Sequence, residues 1–314
     1  MSDDTVNIAL YYFFGGTALL FGIPFFYIVI SKSPPSLRLY RNTILNLTIW
    51  YFLAIEICGL FLQPTFAVVD SKLCAKYLGP ASSMGTPAVL FLLFACLFSA
   101  SNVGIAMCIC FIYRFVQISD FSIPRCLTSF RLAALCAAFH VVSAVIVGLL
   151  TYLFGSCSDM VMTDGAVHMC HRPGRNYFAM MVISGLSVVG LIVATIAIGA
   201  LGAMTIRALR SQRMHMSKQT YRMHLLLTAN LVMLVALPIV FDVVPLIASS
   251  LCIFFQSDTL LFYTVSISSH APFIDVILSC VLTVAFITPY RKAVKRMLCK
   301  SKAVFPSVPV IFNN

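Results

Sequence analysis

The sequence predicts an all-α membrane protein, a seven-transmembrane helix bundle with its N-terminus outside the cell and its C-terminus inside. Hydrophobic residues make up 61% of the 314 residues and charged residues only 10%, whereas a soluble domain carries about 25% charged residues. Seven apolar runs are long enough to cross a bilayer as helices. Basic residues collect in alternate loops, which sets the orientation of the bundle.

Each apolar run contains about 20 or more residues, which matches the thickness of the hydrocarbon core of a bilayer. No segment between the runs is long enough to form a separate domain, so we predict one seven-transmembrane domain over residues 1–314. The predicted spans are Ile8–Ile30, Thr43–Gln63, Ala88–Tyr113, Leu132–Phe154, Phe178–Ile206, Leu225–Ile247 and Leu260–Ile287.

A basic amphipathic segment follows the seventh span. Its apolar residues recur at the spacing of one helix face, and its basic residues lie on the other face. We expect residues 289–299 to form a short helix on the anionic inner surface of the membrane, with membrane lipid as its partner, followed by a cytoplasmic tail over 300–314. The apolar face consists of Tyr290, Ala293, Val294, Met297 and Leu298, and the basic face of Arg291, Lys292, Lys295 and Arg296.

The distribution of lysine and arginine predicts which side each loop faces. Seventeen of the 21 lysine and arginine residues lie in three alternate loops and the tail, and the other four are Lys72, Lys76, Arg172 and Arg175. Short basic loops stay in the cytoplasm, so the side that holds the tail is predicted to be inside. The net charge of +11 therefore reflects membrane orientation and not nucleic-acid binding, because no basic face is large enough to neutralise a run of phosphates.

Three acidic residues lie within the apolar runs, where an ionisable group usually faces the bundle interior and finds a partner. The first is Glu56, near the middle of the second run. It is a candidate for ligand contact or for a polar switch, by holding a cation or by bonding to Ser99 or Asn102 on the third helix. The alternative is a carboxyl group that is protonated or satisfied by packing.

The other two acids lie near prolines. Asp275 follows His270 and Pro272, and Asp242 lies between Pro238 and Pro245. A proline inside a helix removes a backbone donor and bends the helix, and the freed carbonyl groups need polar partners. Bent polar sixth and seventh helices are candidate moving parts of a switch, and Asp242, His270 and Asp275 are candidate ligand-binding or polar-switch residues. A kink that only fits the packing is the alternative.

Seven helices with an outside N-terminus is the architecture of G-protein-coupled receptors, although some transporters and enzymes also have seven spans. Arg114 ends the third run after Ile112 and Tyr113. It either marks the cytoplasmic border of the span or acts as a switch arginine that contacts the sixth helix or a G protein.

The cysteines of the predicted outer loops face an oxidising compartment. We expect Cys74 to form a disulfide with either Cys157 or Cys170. Cys299, after the basic segment, is a candidate palmitoylation site.

His168, Cys170 and His171 lack a fourth ligand at the spacing of a metal site. Because no catalytic motif is present either, we predict no metal, no cofactor and no enzymatic activity.

Several segments together resemble the nematode serpentine chemoreceptors of the Str superfamily, especially classes H and D. Their order is that of the family, and they cover nearly the whole chain. They are Ser33–Tyr40 and Leu45–Trp50 in the first inner loop and the second helix, Met216–Thr220 before the sixth helix, the paired Pro238 and Pro245, and Pro289-Tyr290-Arg291 after the seventh helix. The chain departs from class H before Arg114, where Phe111-Ile112-Tyr113 includes no acidic residue to form an ionic latch of the usual kind.

The resemblance implies a chemosensory receptor that binds a small external chemical in the outer half of the bundle and activates a heterotrimeric G protein. It also implies a multi-pass protein of the plasma membrane, in the sensory cilia of chemosensory neurons. The residues expected on the G-protein side are Arg114, Arg210, Lys218, Tyr290 and Arg291. A secondary transporter of a small solute is the main alternative, although the two halves show no repeat of the kind found in transporters.

Overall fold

The computed structural model describes residues 3–34, 37–69, 72–118, 129–156, 158–163, 165–171, 177–254 and 258–304. These residues are mostly helical, with two short β-hairpins. The helices are α1 (Asp3–Lys32), α2 (Arg38–Glu56), α3 (Thr86–Ile118), α4 (Ser129–Ser156), α5 (Tyr177–Ser211), α6 (Lys218–Pro238), α7 (Val244–Phe254), α8 (Asp258–Phe286) and α9 (Thr288–Val304). The strands are β1 (Pro64–Val69), β2 (Lys72–Tyr77), β3 (Ser158–Thr163) and β4 (Ala166–His171).

Seven helical stretches among the described residues are long and apolar enough to cross a membrane, which confirms the predicted seven-helix bundle. The two hairpins are an addition to the predicted all-α class. The second stretch continues from α2 through a π-helical turn, Ile57–Leu62. The sixth span consists of α6, a π-helical turn at Ile239–Val243, and α7. The stretches are Asp4–Lys32, Tyr40–Leu62, Thr86–Ile118, Cys136–Leu153, Val188–Met214, Lys218–Ser249 and Ser266–Phe286.

The apolar side chains divide between the bundle core and its outer surface. Large side chains from α1, α2, α3, α6 and α8 form one buried cluster that includes Tyr11, Ile44, Phe111, Leu231 and Phe273. On α4 and α5, by contrast, many apolar residues are exposed on the protein surface. In a bilayer these faces meet lipid tails, which are as apolar as the side chains themselves.

The two hairpins form a four-stranded antiparallel sheet of order β1-β2-β4-β3 at one end of the bundle, which we call the hairpin end. Cys74 on β2 lies directly opposite Cys170 on β4, and the two residues form a disulfide. The N-terminus of α1 joins the same end, because Lys76 forms an ion pair with Asp4 at 2.7 Å. Cys157, the alternative partner in the prediction, lies outside the described residues.

Gln63 makes the turn between the π-helical end of the second span and β1. Its backbone is left-handed, with φ of 48°, a conformation that is uncommon for a residue other than glycine. Its side-chain amide donates to the carbonyl of Gly59 at 3.0 Å, and its backbone carbonyl accepts from Leu78 at 3.2 Å. These bonds satisfy a buried polar residue and hold the hairpin against the helix. Nearby, burial raises the pKa of Tyr77 and keeps its phenol neutral.

The opposite end of the bundle is called the α9 end. Here α9 follows α8 after a single residue and runs from Thr288 to Val304, so the helix is longer than the predicted 289–299 and includes the first residues of the predicted tail. Residues 305–314 lie outside the described residues. Ser217 is the N-cap of α6: its hydroxyl accepts a hydrogen bond from the backbone N–H of Thr220 at 3.2 Å, so the helix begins at the next residue.

The disulfide closes a loop over a sequence separation of 96 residues. We expect Cys74→Ser to lower the free energy of unfolding by about 2–5 kcal/mol, because it releases a long loop in the unfolded chain. SDS titration of the purified protein in bicelles measures the change. Cys252→Ser is the matched control, since Cys252 is a free cysteine. Equal stability of the two variants would contradict the prediction.

Candidate functional site

A single hydroxyl group joins three spans near the middle of the bundle. Tyr51 on α2 donates to Oδ2 of Asp242 in the sixth span at 2.7 Å, and it also contacts Oδ2 of Asp275 on α8. Ser279, one turn further along α8, donates to Oδ1 of Asp275 at 3.2 Å. Asp275 is completely buried. These contacts, here called the Tyr51 tie, link α2, the sixth span and α8.

The sequence around Asp242 explains why this carboxyl group lies at an irregular turn. Pro238 has no backbone N–H to donate within the helix, and the π-helical turn Ile239–Val243 follows it directly. Each additional residue in a helical turn rotates the following side chains by roughly 100° around the helix axis. π-helical turns of this kind occur frequently at functional sites.

The Tyr51 tie has fewer hydrogens than acceptors. A phenol carries one hydrogen, whereas an ionised carboxylate only accepts hydrogen bonds. Two ionised carboxylates on one hydroxyl would also repel each other. The three-span contact therefore needs a second hydrogen, carried by one of the two carboxyl groups and donated to the phenol oxygen.

The space beside the Tyr51 tie is too small for an organic ligand. A cavity of about 10 Å³ lies next to it, which is room for one water molecule at most. The cavity is lined by Phe25, Leu47, Thr48, Tyr51, Met107, Leu234, Val276, Ser279, Cys280 and Thr283. The tie is thus suited to joining helices and not to enclosing a ligand.

The structure does not bring Glu56 together with Ser99 or Asn102. The hydroxyl of Ser99 donates to the carbonyl of Ala95 in its own helix at 2.8 Å. The side-chain oxygen of Asn102 lies 2.5 Å from Nδ1 of His140 on α4. Glu56 instead faces α1, where a Cβ atom built on Gly15 would lie 3.6 Å from its carboxyl oxygen Oε2.

His270 lies in an aromatic cluster between α1 and α8. Its ring stacks on Tyr11 with a centroid distance of 4.6 Å, and Phe14 lies 5.8 Å away. Nδ1 of His270 lies 2.9 Å from the carbonyl oxygen of Ser266. Phe273 completes the cluster, with its ring centroid 6.1 Å from Tyr11. The cluster occupies the half of the bundle that is closer to the hairpins.

Arg114 lies near the α9 end, and its guanidinium group contacts α6. The Nη2 group donates to the backbone carbonyl of His224 at 3.0 Å, and Nη1 donates to Gln117 at 2.5 Å. The face of Tyr40 lies 5.9 Å from the guanidinium carbon, a cation–π contact. The side chain is 1% exposed. Arg114 therefore joins α3 to α6 without an acidic partner among the described residues.

Asn230 lies on α6 about one and a half turns after His224, further into the bundle, and it joins α6 to two other helices. Its side-chain amide donates to the hydroxyl of Tyr40 on α2 at 3.0 Å and to Thr283 on α8 at 3.4 Å. Asn230 is completely buried. A buried amide without these acceptors would be costly in a membrane span.

A groove of about 850 Å³ opens at the α9 end between the first loop, α6, and the junction of α8 with α9. It is lined by Pro34, Leu37, Gln219, Thr220, Arg222, Met223, Leu226, Leu227, Ala285, Phe286, Ile287, Thr288, Pro289 and Arg291. Of the residues predicted on the G-protein side, Arg291 lines the groove, and Arg210 and Lys218 are exposed at the same end of the bundle.

Tyr290 is different from its neighbours because it is completely buried. Its hydroxyl lies 2.7 Å from Oγ of Ser33, after the end of α1. Burial raises the pKa of Tyr290, so the phenol stays neutral and fixes α9 to the end of α1. The side chain of Cys299, the candidate palmitoylation site, lies outside the described residues.

Sequence reasoning missed Tyr51, Tyr40, Asn230 and His140, each of which supplies a polar group to a contact between helices. Asn230 and His140 carried a usable signal, because a strongly polar side chain in an apolar run needs a partner in the same way as an acidic one. The two tyrosines carried no such signal, since aromatic residues are common in apolar spans.

The sequence of the chain matches the model of one protein family. The family described as serpentine type 7TM GPCR chemoreceptor Srh matches residues 2–300. The match covers nearly the whole chain, as the resemblance of the sequence segments predicts. No curated protein matches the chain.

We expect the Tyr51 tie to contribute to the stability of the folded bundle. Tyr51→Phe removes the hydroxyl group from the completely buried carboxyl group of Asp275 and the half-buried one of Asp242, so we expect the free energy of unfolding to fall by about 1–3 kcal/mol. SDS titration in bicelles measures the change. Tyr27→Phe is the matched control, because the Tyr27 side chain is 52% exposed. A loss no greater than that of the control would show that the tie contributes nothing to stability.

Proposed function

The chain belongs to the Srh family of serpentine seven-transmembrane G-protein-coupled chemoreceptors, and from this premise we propose that it binds a small external chemical and activates a heterotrimeric G protein. The family is one of receptors and not of enzymes. In the proposal, the chemical binds in the half of the bundle near the hairpins. The G protein binds at the α9 end.

The proposed orientation has the hairpin end outside the cell. Most basic residues of the described short loops, and those of α9, lie at the opposite end, which favours the cytoplasm for that end. The disulfide between Cys74 and Cys170 favours an oxidising compartment for the hairpins. The chain is a multi-pass membrane protein, and we propose the plasma membrane of sensory cilia as its location.

The observation that carries the proposal is that the sixth span is hydrogen-bonded to its neighbours at three depths. Asp242 contacts α2 and α8 through the Tyr51 tie. Asn230 contacts the same two helices through Tyr40 and Thr283. Near the α9 end, the carbonyl of His224 accepts from Arg114 on α3. A movement of the sixth span therefore changes polar contacts along most of its length.

This arrangement suits transmission of a signal through the bundle. A ligand shifts the equilibrium between two arrangements only by the difference between its affinities for them. Reversing a population from 1:99 to 99:1 requires about 5.5 kcal/mol, and each hydrogen bond contributes about 0.5–1.5 kcal/mol. The contacts of the sixth span are thus of the right size to hold a resting arrangement that a ligand can overcome.

At the α9 end, the proposed consequence is a change in the groove between α6 and the junction of α8 with α9. Release of the Arg114 contact with His224 would free the end of α6 that lines this groove. The exposed Arg210, Lys218 and Arg291 surround a surface that is suited to an acidic or polar partner. An acyl chain on Cys299 and anionic lipid under α9 would hold the helix at the membrane.

Intact cells that produce the chain with a promiscuous Gα subunit test the proposal. We expect external application of an active chemical from a diverse panel to raise intracellular calcium, and membranes from the same cells to show faster nucleotide exchange on Gα. Surface labelling of an N-terminal tag checks the orientation. Uptake of the chemical without nucleotide exchange would instead indicate a transporter.

The contact between Asn230 and Tyr40 gives a sharper prediction. Tyr40→Phe removes the acceptor of the Asn230 amide but keeps the ring beside Arg114. Loss of about 1 kcal/mol from the resting arrangement should raise ligand-independent nucleotide exchange by roughly 5-fold. Tyr152→Phe, at an exposed position on α4, is the matched control. Unchanged basal exchange in Tyr40→Phe would show that the contact between Asn230 and Tyr40 does not hold the resting arrangement. Ligand-dependent exchange could still be measured separately in the same variant.

A further inference from the structure

We propose that Glu56 binds the ammonium group of a small aliphatic amine, and that the aromatic cluster of Tyr11, Phe14 and Phe273 contacts the alkyl part of the same molecule. The inference rests on the proposed function, because it names the chemical class of the external chemical. It places the binding site at the junction of α1, α2 and α8, in the half of the bundle near the hairpins.

The first argument is that Glu56 has no partner of its own. Both carboxyl oxygens of Glu56 are buried, and neither has a hydrogen-bond partner in the part of the chain that the structure describes. The other two span acids, Asp242 and Asp275, share the hydroxyl of Tyr51. The seven apolar runs contain no lysine or arginine. No lysine or arginine of the spans can pair with Glu56, and its carboxyl oxygens accept no hydrogen bond from His270, so the carboxyl group is available to a cation from outside the chain.

The second argument is that α1 presents little side-chain bulk to this carboxyl group. Gly15 and Gly16 are consecutive on α1. Gly15 is buried, and the nearest atoms to a Cβ atom built on it belong to Leu60 and Glu56, at ordinary contact distances. Gly16, by contrast, lies on the exposed face of α1. Glu56 also lies at the point where α2 changes to the π-helical turn Ile57–Leu62. The backbone of α1 at Gly15 thus borders the carboxyl group without a side chain of its own.

The third argument is the aromatic surface beside Glu56. Phe14 precedes Gly15, and its ring centroid lies 6.2 Å from that of Phe273. The Phe273 ring in turn packs on Gly59, one turn after Glu56, so closely that a Cβ atom there would lie 2.6 Å from the ring. Aromatic faces attract cations and also pack against alkyl groups.

A protonated amine matches this combination of groups better than an inorganic cation. An ammonium group supplies both a positive charge and N–H donors, which gives the short, charge-assisted hydrogen bonds that a carboxylate accepts. Its alkyl group can lie on the aromatic rings. Alkaline-earth cations such as calcium instead take six to eight oxygen ligands, whereas the described residues offer one carboxyl group here.

The test uses the full chain in lipid nanodiscs with 3-methylbutylamine as the probe and 3-methylbutan-1-ol as its uncharged counterpart. Thermal unfolding at increasing probe concentration measures binding without a G protein. We expect the amine, and not the alcohol, to raise the unfolding midpoint. Glu56→Gln should weaken amine binding by about 10- to 100-fold, because it removes a charge-assisted hydrogen bond.

Two further variants separate charge from folding. Glu56→Asp keeps the charge and should retain part of the amine response. Asp4→Asn removes an acidic residue that is paired with Lys76 at the hairpin end, and it should bind the amine as the unmodified chain does. Full amine affinity in Glu56→Gln would overturn the inference, as would equal binding of the alcohol, the same shift with sodium chloride alone, or no shift with the amine.

Failure of the amine site can be distinguished from failure of the proposed receptor function. Amine binding that depends on Glu56 but produces no nucleotide exchange would support this site and contradict signalling. Nucleotide exchange that is driven by another chemical and is insensitive to Glu56→Gln would support signalling and contradict the amine site.

Discussion

The hydroxyl of Tyr51, shared between the carboxyl groups of Asp242 and Asp275, is the interaction on which the rest of the bundle depends. The hydrocarbon core of a bilayer offers no water to satisfy polar groups, so each polar side chain must find its partner within the protein. Asp242 and Asp275, on different helices, both find a polar contact at the same phenol group. That requirement brings α2, the sixth span and α8 together near the middle of the bundle, and it fixes which faces of these helices look inward.

The same requirement explains where the helices are irregular. Glu56 immediately precedes one π-helical turn, and Asp242 lies within the other. Both turns lie in the half of the bundle near the hairpins. Towards the α9 end, by contrast, α6 is a regular helix whose polar residue Asn230 finds its partners without a change of helix type. The half of the bundle near the hairpins therefore contains both π-helical turns and the two acids beside them, whereas α6 towards the α9 end is regular.

The seven spans were predictable, because length and hydropathy in a membrane leave helices as almost the only solution. The three span acids were also recognisable as polar groups that need partners. The shared partner of Asp242 and Asp275 was not predictable, since Tyr51 lies 191 residues from Asp242 in the sequence, and pairing over that distance depends on how whole helices pack. Likewise, Cys170 was one of two candidates, and only the sheet register places it opposite Cys74. Asn102, considered as a partner for Glu56, is used by His140.

The contact of Arg114 shows how the chain does without the acidic residue that class H usually has before this arginine. The guanidinium group bonds to a main-chain carbonyl of α6, to Gln117 and to the face of Tyr40. A carbonyl group cannot be neutralised by a proton, so the strength of this contact depends on the position of α6 and not on the ionisation of a partner. The Tyr51 tie differs from it, because one of its two carboxyl groups has to carry a hydrogen for both to contact the phenol. In the proposed function, the Tyr51 tie therefore depends on the ionisation of its partners, whereas the Arg114 contact depends only on the position of the sixth span.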